Sequence, residues 1–98
     1  SSVITIDNFS FDFVHLNFFV SGTPVELSKT EQKLLCLLVE NRGHVMTRDI
    51  LTDRIWTDCG DYVDNNALSV VIKRLRDKLG ASDYIHTIYG IGYKWDKK

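Results

Sequence analysis

The N-terminal quarter of the chain alternates between apolar and polar positions. Val3, Ile4 and Ile6 lead into Phe9-Ser10-Phe11-Asp12-Phe13, where three aromatic residues are separated by polar ones. A period of two places the rings on one face of a half-buried strand. Leu16 to Val20 forms another apolar run. Ser21-Gly22-Thr23-Pro24 reads as a turn before a short strand, Val25-Glu26-Leu27. The expected product is a small antiparallel meander with its aromatic face against helices.

The period then lengthens. Ser28-Lys29-Thr30-Glu31 has capping-box spacing: the Ser hydroxyl accepts from the amide three residues on, and the Glu reaches back to the Ser amide. The helix that follows carries Leu34, Leu37 and Leu38 on one face and stops at Asn41-Arg42-Gly43. Thr47 is positioned to cap a second helix, with Asp49 in its first turn and Ile50, Leu51, Ile55 and Trp56 turned inward. A loop over Thr57 to Tyr62 precedes a third helix, capped by Asp64 or Asn65 and closed after Leu79 by Gly80. Tyr84 to Ile88 and Tyr93 to Trp95 flank Tyr89-Gly90-Ile91-Gly92, a glycine-bearing hairpin.

The third helix is the most informative segment. At 100° per residue, Leu68, Ile72, Leu75 and Leu79 fall within about 60° of one another, a narrow core stripe. Asn66, Val70, Lys73 and Asp77 lie opposite, with Ser69 and Arg76 on one flank and Ala67 and Arg74 on the other. Such a face has the chemistry to enter a major groove, where Asn pairs with adenine, Arg with guanine, and small apolar groups meet the thymine methyl. Outward Lys and Arg also serve simply as a solvated surface, and an outward Val70 also suits a protein partner.

Charge changes the picture only through its distribution. The 98 residues carry a net charge of −1 and are 44% hydrophobic and 26% charged, ordinary values for one folded domain. Residues 1–72 hold five Lys/Arg against ten Asp/Glu. Residues 73–98 hold seven (Lys73, Arg74, Arg76, Lys78, Lys94, Lys97, Lys98) against three. A basic C-terminal quarter marks either an interaction face or a solvated surface. Lys73, Arg74 and Lys94 are expected to converge around the third helix.

No apolar run approaches the roughly 20 residues of a membrane span. Two cysteines, Cys36 and Cys59, are too few for a disulfide scaffold, which points to a cytoplasmic setting. Enzymatic chemistry finds little footing. Cys36, His44 and Asp49 are the nearest approach to a nucleophile set, and a thiol in a Leu-rich helix is most simply an inert hydrophobe. His15, His44 and His86 lie far apart without second ligands, so no metal, cofactor or catalytic residue is expected.

Meander, three helices with a turn between the second and third, then a hairpin: this is the order of an α+β winged helix-turn-helix. At this point the sequence resembles a known family. Leu27-Ser28-Lys29-Thr30-Glu31, Leu34-Leu35, Val45-Met46-Thr47-Arg48, Ile55-Trp56 and Val63-Asp64 look like the effector domain of OmpR/PhoB-type response regulators. So do Val71 to Leu79 and Thr87-Ile88-Tyr89-Gly90-Ile91-Gly92-Tyr93. The resemblance runs over residues 1–98 and implies a double-stranded DNA-binding domain of a two-component transcriptional regulator. The single Met, at position 46, agrees with a piece that follows a receiver domain in a longer chain.

The resemblance also implies site residues. Asn66, Ala67, Val70, Lys73 and Arg74 would lie in the major groove, with Arg76 among the basic contacts. Trp56 would offer its indole N–H to a phosphate or serve as a core aromatic. Thr87, Tyr89, Gly90 and Lys94 would belong to the wing, Thr87 at a phosphate. The loop Asp58, Cys59, Gly60, Asp61 and Tyr62 would meet RNA polymerase. Two positions depart from the pattern: Tyr89 stands where several relatives place a minor-groove Arg, and Asn66 where some place Arg. Both weaken the electrostatic grip of one copy, so a second copy of the chain on tandem half-sites is expected. A winged helix that binds protein instead of DNA is the alternative.

Overall fold

Strands β1 (Val3–Ile6), β2 (Phe9–Asp12), β3 (Asn17–Val20) and β4 (Thr23–Val25) pair in chain order as a four-stranded antiparallel sheet. The computed structural model describes residues 3–56 and 65–96. The alternation of β2 does what its period dictates: Phe9 and Phe11 are buried, and Ser10 and Asp12 are turned away. One boundary differs from expectation. β4 begins inside the anticipated turn and ends at Val25, with Pro24 paired opposite Phe19. Proline is tolerated there because β4 is an edge strand with one neighbour. Leu27, expected in the strand, leaves the sheet and is buried.

Helix α1 (Lys29–Glu40) starts at the anticipated capping box: Ser28 Oγ accepts from Glu31 N, and Glu31 Oε1 accepts from Ser28 N at 2.8 Å. It stops at Asn41, whose side-chain amide donates to the Leu37 carbonyl. A three-residue strand that periodicity does not announce follows, β5 (Val45–Thr47). Helix α2 (Arg48–Ile55) is capped by Thr47. Ile50 is exposed, contrary to expectation, because the buried stripe of this short helix is Leu51 and Ile55 and Ile50 lies one residue off it. Helix α3 (Asn65–Leu79) follows; Asp64, the alternative cap, lies outside the described residues, as does the loop 57–62.

The chain ends in β6 (Ile85–Ile88) and β7 (Gly92–Trp95). They form the expected hairpin, but β7 also pairs with β5, giving a three-stranded sheet in the order β5-β7-β6. Gly92 is explained by this neighbour rather than by the turn. A Cβ there would come within 2.0 Å of the Met46 carbonyl oxygen, so only glycine admits β5 at this distance.

One core joins both sheets and the three described helices. Trp95 of β7 packs edge-on against Phe9 and Phe11 of β2, with ring centroids 5.6 and 6.0 Å apart. The α3 stripe of Leu68, Ile72, Leu75 and Leu79 is buried, joined by Val71. Glu31, 3% exposed, accepts from Lys78 Nζ at 2.7 Å, which ties the start of α1 to the end of α3. The architecture is a winged helix-turn-helix with an N-terminal meander, and its consequence is a third helix held from beneath and flanked by a wing.

Candidate nucleic-acid interface

The surface of α3 divides as its periodicity dictates. With the Leu68 stripe in the core, Asn66, Ser69, Val70, Lys73 and Arg74 are exposed, and Ala67 is half-buried. Val70 keeps 44% of its surface accessible. Lys73 and Arg74 make no hydrogen bond or ion pair with a described residue, so two full charges stand on one helical turn. Asn66, Val70 and Lys73 lie opposite the core as the sequence predicts, together with the exposed Asp77, while Ser69, Ala67 and Arg74 stand on the flanks.

The wing lies beside this face. Tyr89 stands at its tip, 90% exposed, and Gly90 next to it takes a φ of 78°, a left-handed conformation that glycine adopts without strain. Trp56, the C-cap of α2, is half-buried against the core. Its ring therefore packs, and its indole N–H meets no acceptor among the described residues.

Two anticipated basic groups are placed differently from Lys73 and Arg74. Lys94 does not converge on α3: Tyr93 and Trp95 face the core, and strand alternation turns Lys94 to the opposite side, across from Val45 and His86. Its Nζ lies 3.4 Å from Asp96 Oδ2. Arg76 faces the wing. Its Nε and Nη2 donate to the Ile85 carbonyl at 3.0 and 2.8 Å, and Nη2 also donates to Thr87 Oγ1 at 2.7 Å.

A second junction, not read from sequence, lies further along the same flank of α3. The Tyr93 hydroxyl accepts from Arg48 Nη1 at 2.9 Å and lies 3.4 Å from Ser69 Oγ. The Arg48 guanidinium also stands over the Tyr93 ring, 5.8 Å from its centroid. Ser69 and Arg76 are two helical turns apart, so α3 is fixed to the wing at two points on one side. The signal available in sequence was the pairing of Ser69 with Arg76 on one flank, without an indication of what faced them.

The Cys36 thiol donates to Glu40 Oε1 at 2.6 Å; burial and the adjacent carboxylate push its pKa up to about 12, so it stays protonated. Among the described residues no group of three His, Cys, Asp or Glu could hold a metal ion, and no helix is long and apolar enough to cross a membrane.

Comparison with known proteins agrees with this geometry. A family model described as transcriptional regulatory protein, C terminal, matches residues 22–95. The response regulator ArlR of Staphylococcus aureus is 36% identical over 94 residues, which span 93% of this chain and 42% of ArlR. The crystal structure of DrrB, a Thermotoga maritima OmpR/PhoB homologue, superimposes with a TM-score of 0.88 at 30% identity, over 98% of this chain and 45% of DrrB. The DNA-binding domain of Klebsiella pneumoniae RstA, in complex with the RstA box, gives a TM-score of 0.85 at 26% identity, over 98% of both chains. The chain spans under half the length of the curated relatives it matches.

Proposed function

The chain belongs to the family of C-terminal domains of transcriptional regulatory proteins, and from that premise we propose that it binds double-stranded DNA sequence-specifically, as the output domain of a two-component regulator. The observation that carries this reading is the division of α3. One stripe is core, and the opposite face presents Asn66, Val70, Lys73 and Arg74 beside an exposed wing. The complex of the similar RstA domain with the RstA box supports it.

In this reading α3 lies in the major groove. The Asn66 amide suits the paired donor and acceptor of adenine, the Arg74 guanidinium suits guanine or a phosphate, and Ala67 and Val70 suit thymine methyl groups. Lys73 neutralises phosphate. Trp56 and Thr87 donate to backbone phosphates on either side of the helix, and Tyr89 with Gly90 places the wing tip against the duplex. Tyr89 brings no cation, so the wing adds shape rather than charge. The acidic loop Asp58 to Tyr62, which lies outside the described residues, is assigned to RNA polymerase by the family resemblance alone. The thin basic surface favours two copies on tandem half-sites about one helical turn apart; a cytoplasmic setting follows from the role.

The exposed Val70, Tyr89 and Ile91 favour the second reading, a winged helix that docks on protein. A mobility-shift titration with mixed-sequence duplex at low and high salt separates the two. Binding that weakens with salt supports the DNA reading, because phosphate neutralisation releases counterions. No shift at low salt overturns it.

A further inference from the structure

We infer that Arg76 is a positioning residue that acts on DNA through the Thr87 hydroxyl and not through its own charge. This rests on the DNA-binding reading above. Three of the five N–H bonds of the Arg76 guanidinium, those on Nε and Nη2, are spent inside the protein on the Ile85 carbonyl and Thr87 Oγ1, which fixes the group against the hairpin; only the two on Nη1 have no partner among the described residues. Because Thr87 Oγ1 accepts from Arg76, its own proton is left to donate elsewhere, and no described residue takes it. A hydroxyl that accepts from a cation is polarised and becomes a stronger donor to the next acceptor. It sits on β6 at the junction of α3 and the wing, where a phosphate oxygen is the acceptor that the duplex supplies.

The same bonds set the wing angle. Thr87 is the cross-strand partner of Tyr93, whose hydroxyl is held by Arg48 and lies beside Ser69. The two junctions, two turns apart on α3, resist both rotation and splaying of the hairpin.

The test is duplex affinity against salt for the 98-residue chain, read by anisotropy of a labelled mixed-sequence duplex about two helical turns long. The parent is compared with Arg74→Gln, Arg76→Gln, Thr87→Val, Thr87→Ser and the Arg76→Gln/Thr87→Val double variant. Arg74→Gln should reduce the log–log salt slope by about 0.9, one phosphate charge. Arg76→Gln should weaken binding about three- to tenfold with the slope unchanged. Thr87→Val should give a similar loss, Thr87→Ser should restore binding, and the double variant should be no weaker than either single one, as expected of groups acting in series.

A slope reduced by about 0.9 in Arg76→Gln, or additive losses in the double variant, overturns the inference. Should Arg76→Gln fold poorly by circular dichroism, the valine and serine variants decide: undiminished affinity in Thr87→Val overturns it. A parent that fails to bind duplex at low salt overturns the DNA-binding reading itself, an outcome distinct from all of these.

Discussion

Replacing Glu31 by Gln removes one charge at the point where α1 meets the end of α3. The carboxylate is nearly inaccessible and accepts from Ser28 N at 2.8 Å and Lys78 Nζ at 2.7 Å. An amide of the same shape can still accept from Ser28, so the loss is chiefly the charge assistance of the Lys78 bond. A hydrogen bond to a charged group contributes about 1.5–3 kcal/mol, and Lys78 is partly open to solvent, which screens the pair. The expected loss is therefore about 1–2 kcal/mol, at about 4–8 °C of melting temperature per kcal/mol for a chain of this size.

The pH dependence follows from the same contacts. Burial pushes the Glu31 pKa up, but the Lys78 and Ser28 bonds outweigh it and hold the carboxyl below its ordinary value of 4.5. A group whose folded pKa is depressed adds stability above its unfolded pKa, and that stability disappears as pH falls through the folded value. Thermal melts of parent and Glu31→Gln should thus differ by a constant amount from pH 8 to about 5, and converge below about 4.5. A gap of less than a degree at neutral pH, or one that persists undiminished to about pH 3, would show that the charge of Glu31 does not stabilise the fold.

Other substitutions probe other contacts. Leu75→Ala should cost about 2–5 kcal/mol by emptying a fully buried position, read by denaturant unfolding; a loss below about 0.5 kcal/mol would mean α3 is rotated. Gly92→Ala should lower the melting temperature by several degrees and weaken amide protection in β5, since its Cβ cannot coexist with the Met46 carbonyl. In a Cys59→Ser background, Cys36 should react with a disulfide reagent at pH 8 at least tenfold more slowly than free cysteine, which a reaction at the free rate would contradict. Arg74→Ala should weaken binding to a selected duplex by about 1–3 kcal/mol and leave the melt unchanged.

What could be read from the sequence was whatever short-range periodicity controls. The aromatic face of β2, the capping box at Ser28 and the core stripe of α3 each follow from residues a few positions apart, and each is found in the structure. What could not be read depends on register between distant segments. β5 is three residues long with no resolvable period, and it exists because β7 offers an edge and Gly92 leaves room. Arg76 looks like any outward base on α3 until the β6 register brings Ile85 and Thr87 beneath it. Lys94 seems one more cation of the same face until strand alternation turns it away. In the candidate site, Asn66, Val70, Lys73 and Arg74 were legible because a helix face needs only its own sequence. The wing contacts were not, because they are made between elements.

Amide chemical-shift mapping during titration with a duplex identifies the face of the domain that DNA perturbs. Perturbations should concentrate at Asn66, Ala67, Val70, Lys73 and Arg74 on α3 and at Thr87, Tyr89 and Gly90 on the wing. The amides of β1 and β2 and of the buried α1 face should remain still. Perturbations centred on the meander or α1, with α3 unmoved by saturating duplex, would contradict the placement of α3 in the groove.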